Sequence, residues 1–293
     1  LEIKRASEMG FCFGVRWALD VVRKAIGESG HLQSLGAIVH NQKVVYDLER
    51  LGVTIADNLD QVTSGTVVVT SHGIGPKVIQ DIKERGLKIV DTTCPHVKKA
   101  QNIAKKLVDD GYSVVIFGEV GHPEVQGLLG WSQGKGRVVT DYSDLSGEIP
   151  NRLGIISQTT QSPSSYVDFV KGVVTRLDHI SELRVFSTIC EATRKRLEAA
   201  LELSGTVDLM IVVGGSASSN TKRLAEVCVS QRVETHRIEQ ADQIDVSWFK
   251  GKHKVGVTAG ASTPAVVIDA VVDKLTGVVG PGGLSKNDLE SDT

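Results

Sequence analysis

Three times along this chain a short apolar segment runs into a cysteine, and each time a helix-forming stretch follows. The segments are Ile3 to Cys12, Leu87 to Cys94 and Leu183 to Cys190. The last two share one form, a strand, small polar residues and then Cys; the first is looser, with extra residues before its Cys. After Cys12, Val15, Ala18, Leu19 and Val22 recur at helical spacing; after Cys94, Val97, Ala100, Ile103, Ala104 and Leu107 do the same. After Cys190 the pattern is weaker, carried by Ala192, Leu197, Ala200 and Leu201. Next comes a strand and a polar loop: Leu35 to Val39 leads to His40-Asn41-Gln42, Ser113 to Gly118 to Gly121-His122-Pro123-Glu124, and Leu209 to Val213 to a run ending Ser218-Ser219-Asn220. Counting 28 residues from each Cys reaches His40, His122 and Ser218; counting 30 reaches Gln42, Glu124 and Asn220.

A third element repeats too. Thr66 to Thr70 leads to Ser71-His72-Gly73, Leu153 to Ser157 to Gln158-Thr159-Thr160, and Lys254 to Thr258 to Ala259-Gly260-Ala261-Ser262. Strands alternating with helices predict an α/β fold with mainly parallel sheets. The repeat divides the chain into three similar α/β units, 13–93, 94–187 and 188–275. The third unit lacks the strand that ends the other two after its last helix, Ala265 to Leu275. The leftover N-terminal strand, within 1–12, is expected to complete it, closing a ring that brings the three Cys toward one axis. Residues 276–293 are Gly-rich and polar and read as a flexible tail.

In open parallel α/β sheets, ligands bind beyond the carboxyl ends of the strands, where all these Cys and loops fall. A helix N-terminus carries partial positive charge and favours thiolate. Thiolates are the ligands of iron–sulfur clusters, and three of them on a four-iron cluster leave one iron open. The His, Ser and Asn loops supply hydrogen-bond donors suited to an anion, and Gly-rich loops entering helices expose N–H groups to phosphate. With a net charge of −2 there is no global basic field for nucleic acid. No apolar run suffices to span a bilayer, and the opening residues have no signal-peptide core. Four widely spaced Cys do not form a disulfide framework, so a cytoplasmic setting is expected. No Walker pattern is present, which argues against an ordinary nucleotide kinase or ATPase.

The motifs closely resemble the 4-hydroxy-3-methylbut-2-enyl diphosphate reductase family. They are GFCFGV at Cys12, VHN at His40, SHG at His72, DTTCP at Cys94, GHPE at His122–Glu124, QTT at Thr159–Thr160, TIC at Cys190, SSN at Ser218–Asn220 and TAGAS at Ser262, in family order. The resemblance implies a pseudo-three-fold cloverleaf of the three units around a central cavity, with a 4Fe–4S cluster on Cys12, Cys94 and Cys190 and one iron open to the substrate hydroxyl. It implies reductive dehydroxylation of an allylic diphosphate, with two electrons and two protons, to isopentenyl and dimethylallyl diphosphate. Glu124 would be the proton-relay carboxylate, Thr159 would orient the hydroxyl end, and His122 would help deliver protons. His40, His72, His122, Thr159, Thr160, Ser218, Ser219, Asn220 and Ser262 would surround the substrate. An external electron donor such as ferredoxin or flavodoxin is implied. Phe13 and Trp17 depart from the family pattern beside Cys12 without removing a ligand.

The residues also admit plainer roles. Ser218-Ser219-Asn220 suits a helix N-cap, Thr159-Thr160 a turn before Ser162-Pro163, and Glu124 a first-turn helix acid. Cys228 falls with Leu224 and Val227 on an apolar helical face and reads as core, and His31, His96, His179, His236 and His253 read as structural. The stretches Lys98-Lys99 with Lys105-Lys106, and Arg194-Lys195-Arg196, read as solvated faces that could still dock an acidic electron donor. Rival functions are weighed by the same residues. Structural zinc prefers four ligands, often in close Cys pairs, and no Cys-x-x-Cys occurs. A hydrolase with a Cys nucleophile would need one Cys rather than three. A radical enzyme using S-adenosylmethionine would need a compact three-Cys motif.

Overall fold

A computed structural model of the chain describes residues 1–63, 65–145, 150–176 and 180–279. It begins with β1 (Glu2–Arg5), α1 (Phe13–Ser29), β2 (Leu32–Leu35), α2 (Gln42–Arg50), β3 (Val53–Ala56), β4 (Thr66–Val69), α3 (Pro76–Glu84) and β5 (Lys88–Asp91). There follow α4 (Pro95–Asp109), β6 (Ser113–Phe117), α5 (Pro123–Trp131), β7 (Gly136–Val139), β8 (Arg152–Ser157), α6 (Pro163–Arg176) and β9 (Glu182–Val185). The remainder is α7 (Glu191–Ser204), β10 (Leu209–Val213), α8 (Ser219–Ser230), β11 (Glu234–Ile238), β12 (Lys254–Ala259) and α9 (Ala265–Val279).

The strands make three four-stranded sheets of one connectivity, β3-β2-β4-β5, β7-β6-β8-β9 and β11-β10-β12-β1. Every pairing is parallel. The α/β class and its three similar parallel sheets thus agree with the repeat. β1, β5 and β9 hold equivalent places, and each runs into one of the three cysteines.

By packing, the described chain divides into two compact units. The first contains Leu1–Cys12, His40–Val44 and the chain from Glu191 onward, and so holds the β11-β10-β12-β1 sheet. Its centre is β10, buried at every residue. Leu209, Ile211 and Val213 join Val255, Val257, Ile268, Val271 and Leu275 on one side, while Met210 and Val212 join Ala200, Leu203, Leu224 and Cys228 on the other. Burial on both faces is why this strand is a continuous apolar run rather than an alternation. β1 lies parallel to β12, with Ile3 opposite Val255 and Arg5 opposite Val257.

The second unit contains Phe13–Val39 and Val45–Cys190. In it α4 buries Ala100, Ala104 and Leu107 with Val114 and Ile116 of β6, and Val125 and Leu128 of α5 join the same cluster. The opposite face of that sheet packs Val115, Phe117 and Ile155 on Tyr166, Phe169 and Val173 of α6. In the other sheet, Val67 and Val69 close on Ile82 of α3. α3 and α5 approach through bare backbone: a Cβ on Gly130 would meet the Cα of Gly75 at 2.9 Å.

Some expectations shift. β2 ends at Leu35 because Gly36, at φ +80°, turns the chain away, so Ala37 to Val39 form an irregular lead into His40 instead of a strand. Leu201 is exposed, and α7 instead buries Leu197, Ala199, Ala200 and Leu203. β3, β7 and β11 are edge strands absent from the sequence reading; β7 and β11 carry few apolar residues, and β3, though apolar, is only four residues long and leaves Ile55 exposed. α9 runs on to Val279, and the rest of the expected tail lies outside the described residues.

Candidate active site

In the second unit the loop after β4 carries His72. Ser71 is fixed at its base: both its N–H and its hydroxyl donate to the Ile38 carbonyl, at 3.3 and 2.8 Å. Gly73, at φ +70°, closes the turn with its N–H on the Thr70 carbonyl. The turn needs glycine twice over, since a Cβ there would also meet Gln101 Nε2 at 2.4 Å. The Ser71 carbonyl accepts the N–H of Cys94 at 3.0 Å, which ties the first helix-start cysteine of this unit to the His72 loop. Cys94 is the N-cap residue of α4, with Pro95 in the first helical position, where its missing N–H costs nothing.

His122 caps α5. Its Nδ1 accepts the Glu124 N–H at 3.2 Å, which leaves the ring proton of neutral His122 on Nε2. The imidazoles of His72 and His122 meet edge to face, with centroids 5.4 Å apart at 84°. Glu124 follows on the first turn of α5, buried to 2% exposure. Both carboxyl oxygens are engaged by one residue: Oε1 accepts the Thr159 N–H at 2.6 Å and Oε2 the Thr159 hydroxyl at 2.8 Å. Burial pushes the Glu124 carboxyl up to about 7 against the lowering effect of those two bonds. Thr159 also accepts the Cys190 N–H on its carbonyl at 3.0 Å. One threonine therefore joins the carboxyl group to the backbone of a cysteine. Thr160, half-buried, accepts from Gln158 Nε2 at 2.9 Å, and Gln158 Oε1 accepts the Glu119 N–H at 3.0 Å.

In the first unit the β1–β12 ladder runs on into the Cys12 loop. The N–H of Ala6 reaches the Val257 carbonyl, that of Gly10 the Ala259 carbonyl, and that of Cys12 the Ala261 carbonyl, at 2.9, 3.4 and 3.1 Å. Ser262, in the loop after β12, donates its hydroxyl to the His40 carbonyl at 3.1 Å. The His40 carbonyl also crowds Gly215, whose absent Cβ would lie 2.5 Å from it. Ser218 caps α8, accepting the Thr221 N–H at 3.3 Å. Ser219 and Asn220 open that helix, both 4% exposed. Asn220 Oδ1 accepts the Ala261 N–H at 2.9 Å, but its buried Nδ2 has no hydrogen-bond partner among the described residues. A buried amide donor left over at a helix N-terminus suits an anionic oxygen.

The structure thus brings His72, Cys94, His122, Glu124, Thr159, Thr160 and Cys190 together within the second unit, and Cys12, His40, Ser218, Ser219, Asn220 and Ser262 within the first. Cys12, Cys94 and Cys190 are half-buried thiols at the starts of α1, α4 and α7. They are soft donors outside the packed cores, and they suit an iron–sulfur cluster. Cys228 differs: it is fully buried on α8 and its thiol is pushed up by burial. Phe13 is 65% exposed at the first position of α1, and Trp17 is half-buried.

A family model described as LytB protein matches residues 3–276. The chain belongs to the LytB family. This LytB-family chain is 44% identical over 279 residues to a 4-hydroxy-3-methylbut-2-enyl diphosphate reductase of Dehalococcoides mccartyi (strain CBDB1), covering 94% of this chain and 98% of that protein. It is 44% identical over 278 residues to a protein of the same name from Geobacter metallireducens, covering 94% and 97%. Its fold is similar to the solved (E)-4-hydroxy-3-methyl-but-2-enyl diphosphate reductase described as the terminal enzyme of the non-mevalonate pathway, with TM-score 0.68, 37% identity and coverage of 94% of this chain and 99% of that one. It is also similar to the solved E-1-hydroxy-2-methyl-but-2-enyl-4-diphosphate reductase of Plasmodium falciparum, with TM-score 0.89, 26% identity and coverage of 96% and 89%.

Two residues of the LytB-family chain acquire weight that the sequence reading missed. Gln158 is fully buried and braces the loops after β6 and β8; its place beside Thr159-Thr160 was the available signal. Arg196 reads as part of a solvated basic run, yet it is 4% exposed. No local signal separates it from Arg194 and Lys195, because its burial depends on the distant Gly10 loop.

Proposed function

We infer that the protein is a 4-hydroxy-3-methylbut-2-enyl diphosphate reductase, which cleaves the allylic C–O bond of its substrate. Two electrons and two protons enter; the hydroxyl leaves as water, and the five-carbon diphosphate gains one hydrogen, as isopentenyl or dimethylallyl diphosphate. Family membership over nearly the whole chain supports this, and the buried Glu124–Thr159 pair joined to Cys190 carries it.

Cys12, Cys94 and Cys190 hold a 4Fe–4S cluster in this reading. When bound, that cluster supplies electrons and a Lewis-acidic iron for the departing hydroxyl. Glu124, with a carboxyl near pH 7, is divided between its acid and carboxylate forms at neutral pH, so it can both hold a proton and release it. The ionised carboxylate accepts the Thr159 hydroxyl at 2.8 Å; in the protonated acid this bond reverses, Oε2–H donating to Thr159 Oγ1, so that Thr159 gives its own proton to the leaving oxygen as it takes the one from Glu124. His122 holds a proton on Nε2 and assists delivery of the second to carbon. His40, His72, Thr160, Ser218, Ser219, Asn220 and Ser262 bind the diphosphate and orient the chain, with Asn220 Nδ2 offering an unused donor.

The same reading makes 13–93, 94–187 and 188–275 with strand 1–12 three copies of one unit, supported by the shared strand order. It places the enzyme in the cytoplasm with an external donor such as ferredoxin or flavodoxin. Among the described residues no helix is long and apolar enough to cross a membrane.

The test is anaerobic turnover of 4-hydroxy-3-methylbut-2-enyl diphosphate with a strong reductant, with iron and sulfide counted on the same sample. Five-carbon diphosphate products with about four irons per chain are expected. A full cluster without products would overturn the substrate, and no iron after anaerobic reconstitution would overturn the cluster.

A further inference from the structure

Arg196 is a buried cation. It lies on α7 at 4% exposure. Its Nε and Nη2 donate to the Gly10 carbonyl at 3.2 and 2.8 Å, and its Nη1 donates to the Ala192 carbonyl at 2.9 Å. Among the described residues, no carboxylate pairs with it. Arg194, two residues earlier, is exposed and bonded to Glu191 and Glu198, as a solvated basic residue would be.

A guanidinium does not shed its proton when buried, so its desolvation must be met by other charge or dipoles. Two backbone carbonyls answer only part of this. The position of those carbonyls says where the rest comes from. Gly10 lies two residues before Cys12, in a loop fixed by a φ of +72° and by its N–H on the Ala259 carbonyl. Ala192 lies two residues after Cys190 in the chain. The guanidinium therefore grips the backbone two residues along the chain from two of the three cysteines assigned to the cluster, where thiolates and sulfides would concentrate negative charge.

We propose that Arg196 is a positioning residue for the iron–sulfur cluster, fixing the Cys12 loop and supplying a buried positive charge that raises the cluster's reduction potential. This rests on the cluster assignment given above. Net charge around a cluster is one of the levers that set its potential, and a cation favours the more negative, reduced state.

The experiment is anaerobic reconstitution of wild type, Arg196→Lys and Arg196→Gln, followed by iron counting and a poised redox titration read by electron paramagnetic resonance. At the poise where half the wild-type clusters are reduced, Arg196→Gln is expected to show a reduced-to-oxidised ratio lower by on the order of tenfold. Arg196→Lys keeps the charge without the planar fork and is expected to stay within about twofold of wild type. An unchanged ratio in Arg196→Gln, or an equal fall in both variants, would overturn the charge role. If Arg196→Gln does not keep its cluster, iron retention decides: Arg196→Lys must retain more, and equal loss overturns the proposal. A wild type that takes up no iron would instead remove the cluster assignment, and this inference with it.

Discussion

Glu124 offers a quantitative test of the site, because its environment changes the pH dependence of folding. Its carboxyl moves from an ordinary 4.5 to about 7 on folding, with burial as the larger cause and the Thr159 bonds opposing it. A raised carboxyl favours the folded state in its protonated form. The stabilisation it contributes is complete below about pH 4.5 and is lost as pH rises through about 7. Linkage puts the loss between pH 5 and pH 8 at about 2.5 kcal/mol. Glu124→Gln cannot ionise and lacks this dependence. Its amide sacrifices one of the two Thr159 bonds, a pH-independent cost of about 1–3 kcal/mol. Wild type should therefore be the more stable at pH 5, and the difference should shrink or reverse by pH 8. The assay is denaturant unfolding of both proteins, stripped of metal, at the two pH values, with m-values compared to establish that the transition is the same one. A wild-type minus variant difference that is flat with pH would refute the raised carboxyl, and with it the argument that Glu124 stores a proton at neutral pH. A difference that grows with pH would mean that the carboxylate, not the acid, is the favoured folded form.

Cys12→Ser, Cys94→Ser and Cys190→Ser should each lose iron and turnover, whereas Cys228→Ser should keep both and lose about 1–3 kcal/mol of stability from a hydroxyl in a fully buried place; iron analysis beside thermal melts checks this. Asn220→Asp keeps the acceptor for the Ala261 N–H but turns the spare donor into a charge, so KM for the diphosphate should rise by about tenfold or more with iron content unchanged. Tyr112 lies between the guanidinium groups of Arg152 and Arg184, 4.3 and 4.4 Å from its ring centre, and donates its hydroxyl to Glu182. Tyr112→Phe should cost about 1–2 kcal/mol in denaturant unfolding and leave turnover unchanged, because it acts at the start of β6, away from the loops after the strands.

Much of the site was legible before any coordinates. The offsets that carry Cys12 to His40, Cys94 to His122 and Cys190 to Ser218 record a repeated strand-to-loop geometry, and repetition survives in sequence because each copy meets the same local constraints. The apolar runs of β6, β8, β10 and β12 were readable for the same reason, being buried strands bounded by glycine and polar loops. β2 was misplaced because the positive φ of Gly36, not the apolar run, decides where it ends. β3, β7 and β11 were missed because each is a short edge strand with no more than half its residues buried, and, unlike β1, β5 and β9, none runs into a repeated cysteine.

By itself, then, the sequence determined the α/β class, the three-fold repetition and the chemical types at the loop ends, since these follow from periodicity and spacing over a few dozen residues. The tertiary structure alone decided that Glu124 titrates near 7 and that Arg196 is buried while Arg194 is not. It also supplied the partner and register of the N-terminal strand, whose place in the third sheet the repeat already predicts: β12, some 250 residues away in the chain. Each of these depends on what distant segments bring against a side chain or a strand edge, because desolvation and hydrogen-bond satisfaction are properties of a packed environment and leave no periodic trace in the chain.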